Sequence, residues 1–355
     1  MSPLLPRLVS QIQENGPMTV GQFMQIALTD PSDGYYTNQN PFGRSGDFIT
    51  APEISQLFGE MIGIWAIDVW QKMGAPTKFQ LIEAGPGRGT LMADVLRTIK
   101  KLAPPMLEAA TVGLIEISPA LKEKQKQLLS SLDVTINWHD QLDDIDGQPI
   151  IFLTNEFLDA LPIRQFLFQE EKWHERAIGL SSDGALDWRL IPATITVPSR
   201  LTPKAGDIFE ICTPAQTFCA SVCEAIKNQD GAALFIDYGH LESGFGDTFQ
   251  AVKEHQYVNV LEAVGQADLT AHIDFDPLVK IGKNADLTVK TTTQGAFLLA
   301  MGILERAGQL GSTLDVERQK NIQNDVERLA APDKMGNLFK VMTFAARGMD
   351  LHGFN

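Results

Sequence analysis

Glu83, Gly85, Pro86, Gly87, Gly89 and Thr90 are the residues whose types and spacing first suggest chemistry. They lie in the stretch Phe79-Gln80-Leu81-Ile82-Glu83-Ala84-Gly85-Pro86-Gly87-Arg88-Gly89-Thr90-Leu91. A carboxylate two positions before the first of three alternating glycines can face a cation. The glycines remove side chains where the backbone must turn and a ligand must come close. Phe79, Leu81 and Ile82 supply the apolar run of a strand. Leu91, Val95, Ile99 and Leu102 recur at about the spacing of one helical face, so a helix starting at Thr90 points its free amides back at the turn. Such a helix start attracts an anionic group.

The spacing selects among ligands. A dinucleotide fingerprint runs Gly-x-Gly-x-x-Gly after its strand. Here the third glycine comes one position early and an acid precedes the first. Acidic-x-Gly-x-Gly-x-Gly is the pattern with which Rossmann-like methyltransferases hold S-adenosyl-L-methionine (SAM). That ligand brings a carboxylate for the helix amides and an ammonium and sulfonium for Glu83. Glycines that only make a tight turn are the competing reading, and Glu83 weighs against it.

Other strands must position the rest of such a site. Thr111-Val112-Gly113-Leu114-Ile115 ends on Glu116-Ile117, where an acid can bond ribose hydroxyls. A strand over 134–138 ends at His139-Asp140, placed for adenine. Ile150-Ile151-Phe152-Leu153 ends in Thr154-Asn155-Glu156, and Ala232-Ala233-Leu234-Phe235-Ile236 ends in Asp237-Tyr238-Gly239. In open parallel sheets ligands sit outside the carboxyl ends of the strands, so these tips are expected to converge. Strands near 287–291 and 338–344 and helices near 296–306 and 316–329 return to this core.

Upstream, Thr19-Val20-Gly21-Gln22 has the form of a capping box before a helix over 23–28, and Thr50-Ala51-Pro52-Glu53 repeats the form before a helix to about residue 73. Gly59 and Gly63 in that helix allow close packing of another element. The segment 30–49 is long, aromatic and rich in Pro and Gly, which marks a functional loop. Asp47 in it, with Thr50 and Glu53 just beyond, is a candidate to close over the cofactor or substrate, and a plain helix cap is the equal alternative for Thr50 and Glu53. Between the fourth and fifth strands, 164–168, 173–180 and 187–190 read as short strands, followed by a helix over 213–228. The fold class expected is α/β: a Rossmann-like class I methyltransferase sheet with a helical N-terminal region and a β-rich insertion. The division expected is 1–75 for the helical region, 76–162 with 230–355 for the core, and 163–229 for the insertion on the substrate side.

Composition narrows the partners. Twenty-nine Lys and Arg against 44 Asp and Glu give a net charge of -15, which opposes a non-specific grip on nucleic acid or an anionic membrane. No apolar run reaches the roughly 18 residues of a membrane span. The N-terminus is neither Arg/Ser-rich nor built like a signal peptide, so a cytoplasmic protein is expected. Cys212, Cys219 and Cys223 lack metal-ligand spacing and read as reduced core thiols, and no metal is expected.

Longer motifs point further. Asp30-Pro31 with Gly34-Tyr35-Tyr36, Pro41-Phe42-Gly43, Gly46-Asp47-Phe48-Ile49-Thr50-Ala51-Pro52-Glu53-Ile54-Ser55, the stretch 83–91, Asn155-Glu156-Phe157-Leu158-Asp159-Ala160-Leu161-Pro162, Asp237-Tyr238-Gly239, Ala267-Asp268-Leu269-Thr270-Ala271-His272 and Thr293-Gln294-Gly295 run over most of the chain. Together they resemble the MidA-type methyltransferases, whose mitochondrial members are assembly factors for respiratory complex I. One departure is Glu262-Ala263-Val264-Gly265-Gln266, where the family is expected to carry Pro-Gly. The resemblance implies a SAM-dependent protein arginine methyltransferase forming symmetric dimethylarginine on the quinone-side 49-kDa-type subunit of complex I. A guanidinium stays protonated and takes carboxylate partners, so such an enzyme needs acids beside the transferred methyl. Glu156 and Asp159 are the candidates, in a position similar to the paired-glutamate loop of other arginine methyltransferases. Glu53, Asp237, Tyr238 and His272 are candidates for the substrate pocket; Asp47, Thr50, Asp140 and Asn155 join the cofactor set. A helix-capping role for Glu156 and a core role for His272 stand beside these. A SAM-binding assembly chaperone without turnover and a small-molecule methyltransferase are the alternative functions, and the oligomeric state is left open.

Overall fold

The computed structural model describes residues 2–38, 50–132, 134–142, 145 and 147–354, which form two compact units. The first comprises Ile49–Phe157, Phe218–Leu241 and Pro277–Asn355. Its sheet uses β1 (Phe79–Ala84), β2 (Ala110–Ile115), β3 (Ile136–His139), β4 (Ile150–Asn155), β5 (Gly231–His240), β6 (Thr288–Thr293) and β7 (Phe339–Ala345). Along its main path the order is β6-β7-β5-β4-β1-β2-β3. β1 to β5 are parallel, and β7 runs antiparallel to both β5 and β6. Every residue of β1 and β4 is buried, as expected of strands covered on both faces. Glu83 is in register with Leu114 of β2 and Leu153 of β4, and Asn155 with Ile236 of β5. The polar tips of these strands therefore share one end of the sheet.

The helix after the glycine turn, Thr90–Leu102, packs on the helix Gln56–Lys72. A Cβ at Gly59 would lie 2.4 Å from the Asp94 Cβ, and one at Gly63 would lie 2.8 Å from the Thr98 Cβ. Both glycines thus do what their spacing suggests. The buried stripe of Thr90–Leu102 is Leu91, Met92, Val95, Leu96 and Ile99; Leu102, expected on it, is 57% exposed because the helix ends there.

Two expected elements are cut differently. The helix expected up to residue 73 is broken at Ser55, whose extended backbone (φ -154°) separates Ala51–Ile54 from Gln56–Lys72. The helix expected over 296–306 is interrupted at Gly302, at φ 86°, into Gln294–Ala300 and Ile303–Gly311. Pro104 and Pro105 open a short helix, Pro104–Ala109, since proline is tolerated in a first turn.

The second unit comprises Met1–Phe48, Leu158–Thr217 and Glu242–Asp276. An antiparallel sheet runs Met18–Thr19, Lys172–Leu180, Arg164–Gln169, Ile208–Ile211, with Leu186–Ala193 also paired to Lys172–Leu180. A smaller sheet joins Gln256–Val258, Gln250–Lys253 and Asp268–Thr270. Leu4, Leu8 and Ile12 of the helix Leu4–Asn15 and Val20, Phe23 and Met24 of the helix Val20–Thr29 bury themselves with Ile163, Ile178, Ala251 and Leu269. The capping box at Thr19 is complete, with Gln22 N donating to Thr19 Oγ1 at 3.2 Å and Thr19 N to Gln22 Oε1 at 2.8 Å. The two units divide the chain differently from the three expected segments. Leu57, Phe58, Met61 and Trp65 belong to the core of the first unit, whereas residues 242–276 supply Ala251, Val264 and Leu269 to the second. Cys219 and Cys223 are buried on the helix Thr213–Gln229, and burial pushes the Cys223 thiol up to about 12. No helix among the described residues is long and apolar enough to cross a membrane.

Candidate functional site

The glycine turn joins β1 to the helix Thr90–Leu102 through three left-handed residues: Gly85 at φ 66°, Gly87 at 53° and Gly89 at 87°. Gly89 caps the helix by its backbone alone, and its N–H closes the turn on the Pro86 carbonyl at 2.7 Å. Pro86 is buried beneath the turn. Glu83 is buried one turn below, and its Oε2 has no hydrogen-bond partner. Burial raises its carboxyl from the ordinary 4.5 to about 8, opposed by the Met92 backbone N–H at the helix start.

At the next tip Glu116 is equally buried but fully engaged. Its Oε1 accepts Ser118 N–H at 2.8 Å, and its Oε2 accepts Gln125 Nε2 at 3.1 Å. Burial again raises the carboxyl, and these donors hold it back. Ile117 is 58% exposed, and its backbone bonds to the Glu116 carboxylate. At the end of β3 the Asp140 side chain is 77% exposed and paired with Lys122 Nζ at 2.7 Å, which holds its carboxyl below the usual range.

At the end of β4, Asn155 is buried with Oδ1 lacking a partner, as does Thr154 Oγ1. Asn155 Nδ2 donates to Glu156 Oε1 at 2.9 Å, and Ala51 N–H donates to the same oxygen at 3.0 Å. The Glu156 backbone is left-handed, at φ 51°, while its N–H bonds to the Ile236 carbonyl at 2.9 Å. Such a conformation in a non-glycine residue costs about 1–3 kcal/mol and persists only where its surroundings impose it. Glu156 therefore does cap a helix, but it is Ala51–Ile54 from far upstream and not one that follows it. Thr50, at that helix start, makes no side-chain capping bond. Glu53 accepts instead from Thr90 Oγ1 at 2.9 Å and lies 3.7 Å from Arg88, which ties this segment to the glycine turn.

The strand expected to end at Ile236 runs on to His240, so Asp237 lies within β5, fully buried, and accepts the Tyr238 N–H at 2.9 Å. Tyr238 packs edge-on to Phe339 within the core of the first unit, so its ring is committed to packing. Two other candidates belong to the second unit. There the Asp159 carbonyl accepts Ala271 N–H at 3.1 Å, and burial, with Asp268 and Asp159 nearby, raises the Tyr36 hydroxyl well above its ordinary value, Tyr36 donating to Asp268 at 2.8 Å. His272 is half-buried, its N–H donating to Thr248 Oγ1 at 2.9 Å. Asp47, with Pro41-Phe42-Gly43 and Gly46 to Ile49, lies outside the described residues.

Thr50, Glu53, Glu83, the glycines, Thr90, Glu116, Asn155 and Glu156 are thus all placed in the first unit. Gln125 joins them without having been anticipated: its Nε2 donates to the Gly87 carbonyl at 2.7 Å as well as to Glu116. The signal was present, because Gln125 lies midway between Leu121 and Leu129 on the buried face of the helix Pro119–Leu129. A polar residue within an apolar stripe calls for a partner.

SAM fits this set in kind. An orphaned, buried carboxylate oxygen on Glu83 can meet an ammonium, a glycine turn leaves backbone amides accessible at a helix start, and Glu116 offers acceptor oxygens of the sort a diol needs. The S-adenosyl-L-methionine-dependent methyltransferase profile matches residues 61–293. The chain belongs to this family. Relatives include the "Protein arginine methyltransferase NDUFAF7, mitochondrial" of Danio rerio, 35% identical over 95% of this chain and 85% of that protein. Its Homo sapiens counterpart is 33% identical over 96% of this chain and 82% of that protein. A crystal structure from Burkholderia thailandensis with S-adenosyl-homocysteine bound is 26% identical and superposes with a TM-score of 0.87, covering 99% of this chain and 92% of that one. The family member described here is an enzyme, a SAM-dependent methyltransferase with the α/β sheet of its relatives. The cytoplasmic expectation does not stand, because these relatives are named as mitochondrial. It rested only on residue types near the N-terminus, which carry no address by themselves.

Proposed function

We propose that the chain methylates arginine side chains of a protein substrate, with Glu156 holding the guanidinium. The observation that carries this is the β4 tip, where Glu156 is forced into a left-handed backbone and its carboxylate is fixed by Asn155 and Ala51. The names of relatives sharing 33–35% identity over nearly the whole chain support the choice of arginine. SAM, when bound, supplies an electrophilic methyl on a sulfonium. The chain's own residues then have to hold and orient: Glu83 the ammonium, the glycine turn and Thr90 the carboxylate end, Glu116 and Ile117 the ribose, while Asp140, paired with Lys122, adds little beside the adenine edge. Asn155 orients Glu156. Glu156 would pair with a guanidinium and orient one of its nitrogens toward the methyl, where orientation supplies on the order of 7–11 kcal/mol. Symmetric dimethylation and a quinone-side complex I subunit as client follow from the resemblance of the sequence motifs.

One observation favours a second reading. Glu156 Oε1 caps Ala51–Ile54, a structural duty that a chaperone without turnover would also need. Glu156→Gln separates the two, since glutamine keeps an acceptor for Ala51 N–H and loses only the charge. Purified wild type and variant are compared for SAM affinity by calorimetry and for arginine methylation of the client by mass spectrometry. Methylation at least tenfold slower with SAM affinity unchanged is the expected result. Undiminished dimethylarginine with the variant removes Glu156 from the mechanism, and none with the wild type removes arginine methylation.

A further inference from the structure

We infer that Gln125 is a positioning residue that presets the ribose end of the cofactor site by tying the glycine turn to Glu116. Gln125 is completely buried, yet every hydrogen-bonding group on its side chain is used. Trp138 fixes which way the amide points. An indole N–H can only donate, and it donates to Gln125 Oε1 at 2.8 Å. Nε2 is therefore turned toward two acceptors, the Gly87 carbonyl at 2.7 Å and Glu116 Oε2 at 3.1 Å. Ser118 N–H holds the other oxygen of Glu116 at 2.8 Å. One amide thus joins the left-handed Gly87 peptide, the acid at the tip of β2 and the end of β3.

No other side chain does this. Glutamate would present an acceptor to two acceptors, asparagine is one methylene short, and leucine would leave the Gly87 carbonyl, Glu116 Oε2 and Trp138 Nε1 without their partner. A ligand bearing a cis-diol meets a carboxylate whose rotamer is already chosen, so less freedom is lost on binding. The inference rests on Glu116 as the ribose acid, and its test keeps the two apart.

S-adenosyl-homocysteine and its 2′-deoxy and 3′-deoxy analogues serve as probes, titrated calorimetrically into the full chain, with thermal melting of the ligand-free protein alongside. Wild type should prefer the ribose form at least tenfold. Gln125→Leu and Gln125→Glu should each weaken S-adenosyl-homocysteine about tenfold and shrink the ribose-to-deoxy ratio severalfold. A merely structural glutamine would lower the melting temperature and leave that ratio alone, and that result overturns the proposal. Trp138→Phe supplies the same test with Gln125 intact: the amide is freed to turn and the ratio should shrink, whereas an unchanged ratio counts against the tie even if neither Gln125 variant folds. Glu116→Ala is the reference. If it collapses the ratio while the Gln125 and Trp138 variants do not, the tie alone is wrong; if it leaves affinity and ratio unchanged, the ribose assignment fails and takes the inference with it.

Discussion

Glu83 and Glu116 end neighbouring parallel strands, are buried to a similar degree, and have opposite hydrogen-bond balances. Glu83 keeps one oxygen without any partner, whereas Glu116 has a donor on each. Burial raises both carboxyls. What separates them is the number of donors already committed. An under-satisfied buried acid is an electrostatic socket for a cation; one whose oxygens each already hold a donor, and keep a second lone pair, is a fixed acceptor platform whose geometry no longer has to be found. In the proposed site, SAM would meet two kinds of contact from one kind of side chain.

The largest effect should come from the turn that lies between these acids. Gly87 adopts φ 53°, which a β-branched residue takes only with strain, and its carbonyl is the one Gln125 holds. Gly87→Val should weaken S-adenosyl-homocysteine by more than a hundredfold in calorimetry, and Gly87→Ala by less. Wild-type affinity in a folded Gly87→Val protein would show that the turn does not form the cradle.

Next in size is a pH effect confined to Glu83. With its carboxyl raised from 4.5 to about 8, the folded ligand-free chain carries a proton at pH 7 that the unfolded chain has lost. The stability this contributes is fully present below about 4.5 and is lost as pH rises through about 8. Melting temperature should therefore fall more steeply between pH 5 and 8.5 in wild type than in Glu83→Gln. An arriving ammonium favours the ionised form, so affinity for SAM should rise with pH, by up to about tenfold per unit below the Glu83 value. Calorimetry at pH 7 in buffers of different ionisation heat should report close to one proton released by wild type and none by Glu83→Gln. No release from wild type would mean that Glu83 does not face the ammonium.

The same pair shows what the sequence could and could not reveal. Both acids were legible because each follows a long apolar run, and a strand end needs no tertiary information to locate. Gly59 and Gly63 were legible for a similar reason, as two small residues one turn apart on a helix. Gln125 was not, since its partners lie 38 residues upstream at Gly87 and 13 downstream at Trp138, and the β1–β2 and β2–β3 registers bring them together. Thr50-Ala51-Pro52-Glu53 has the letters of a capping box, but Glu53 is drawn to Thr90 and Arg88, a tertiary claim stronger than the local one. The second unit was the least legible part. Its strands Gln256–Val258 and Asp268–Thr270 have three residues each, too few for an alternating pattern to register.

Removing the anchored acid is a smaller perturbation than breaking the turn. Glu116→Ala deletes charge-assisted bonds to a diol worth roughly 1.5–3 kcal/mol each, so affinity should drop tenfold or more with little pH dependence added. A loss that varies with pH as steeply as that of Glu83→Gln would erase the distinction between socket and platform.

The smallest effect should be at Asp140, the third acid at this end of the sheet. It differs from the other two in exposure, with 77% of its side chain in solvent against near-complete burial for Glu83 and Glu116. Its partner Lys122 stands on the helix that also carries Gln125, so the pair joins the end of β3 to that helix across solvent. Exposed pairs of this kind are screened by salt and contribute little. A contact to adenine from Asp140 would have to compete with Lys122 for the same carboxylate. Asp140→Asn should therefore change S-adenosyl-homocysteine affinity by less than about twofold, and raising the salt to about 1 M should remove even that difference. Should Asp140→Asn weaken binding tenfold at high salt, and more for S-adenosyl-homocysteine than for an inosine analogue lacking the adenine amino group, the carboxylate reads the base directly and exposure is a poor guide to function at this strand end.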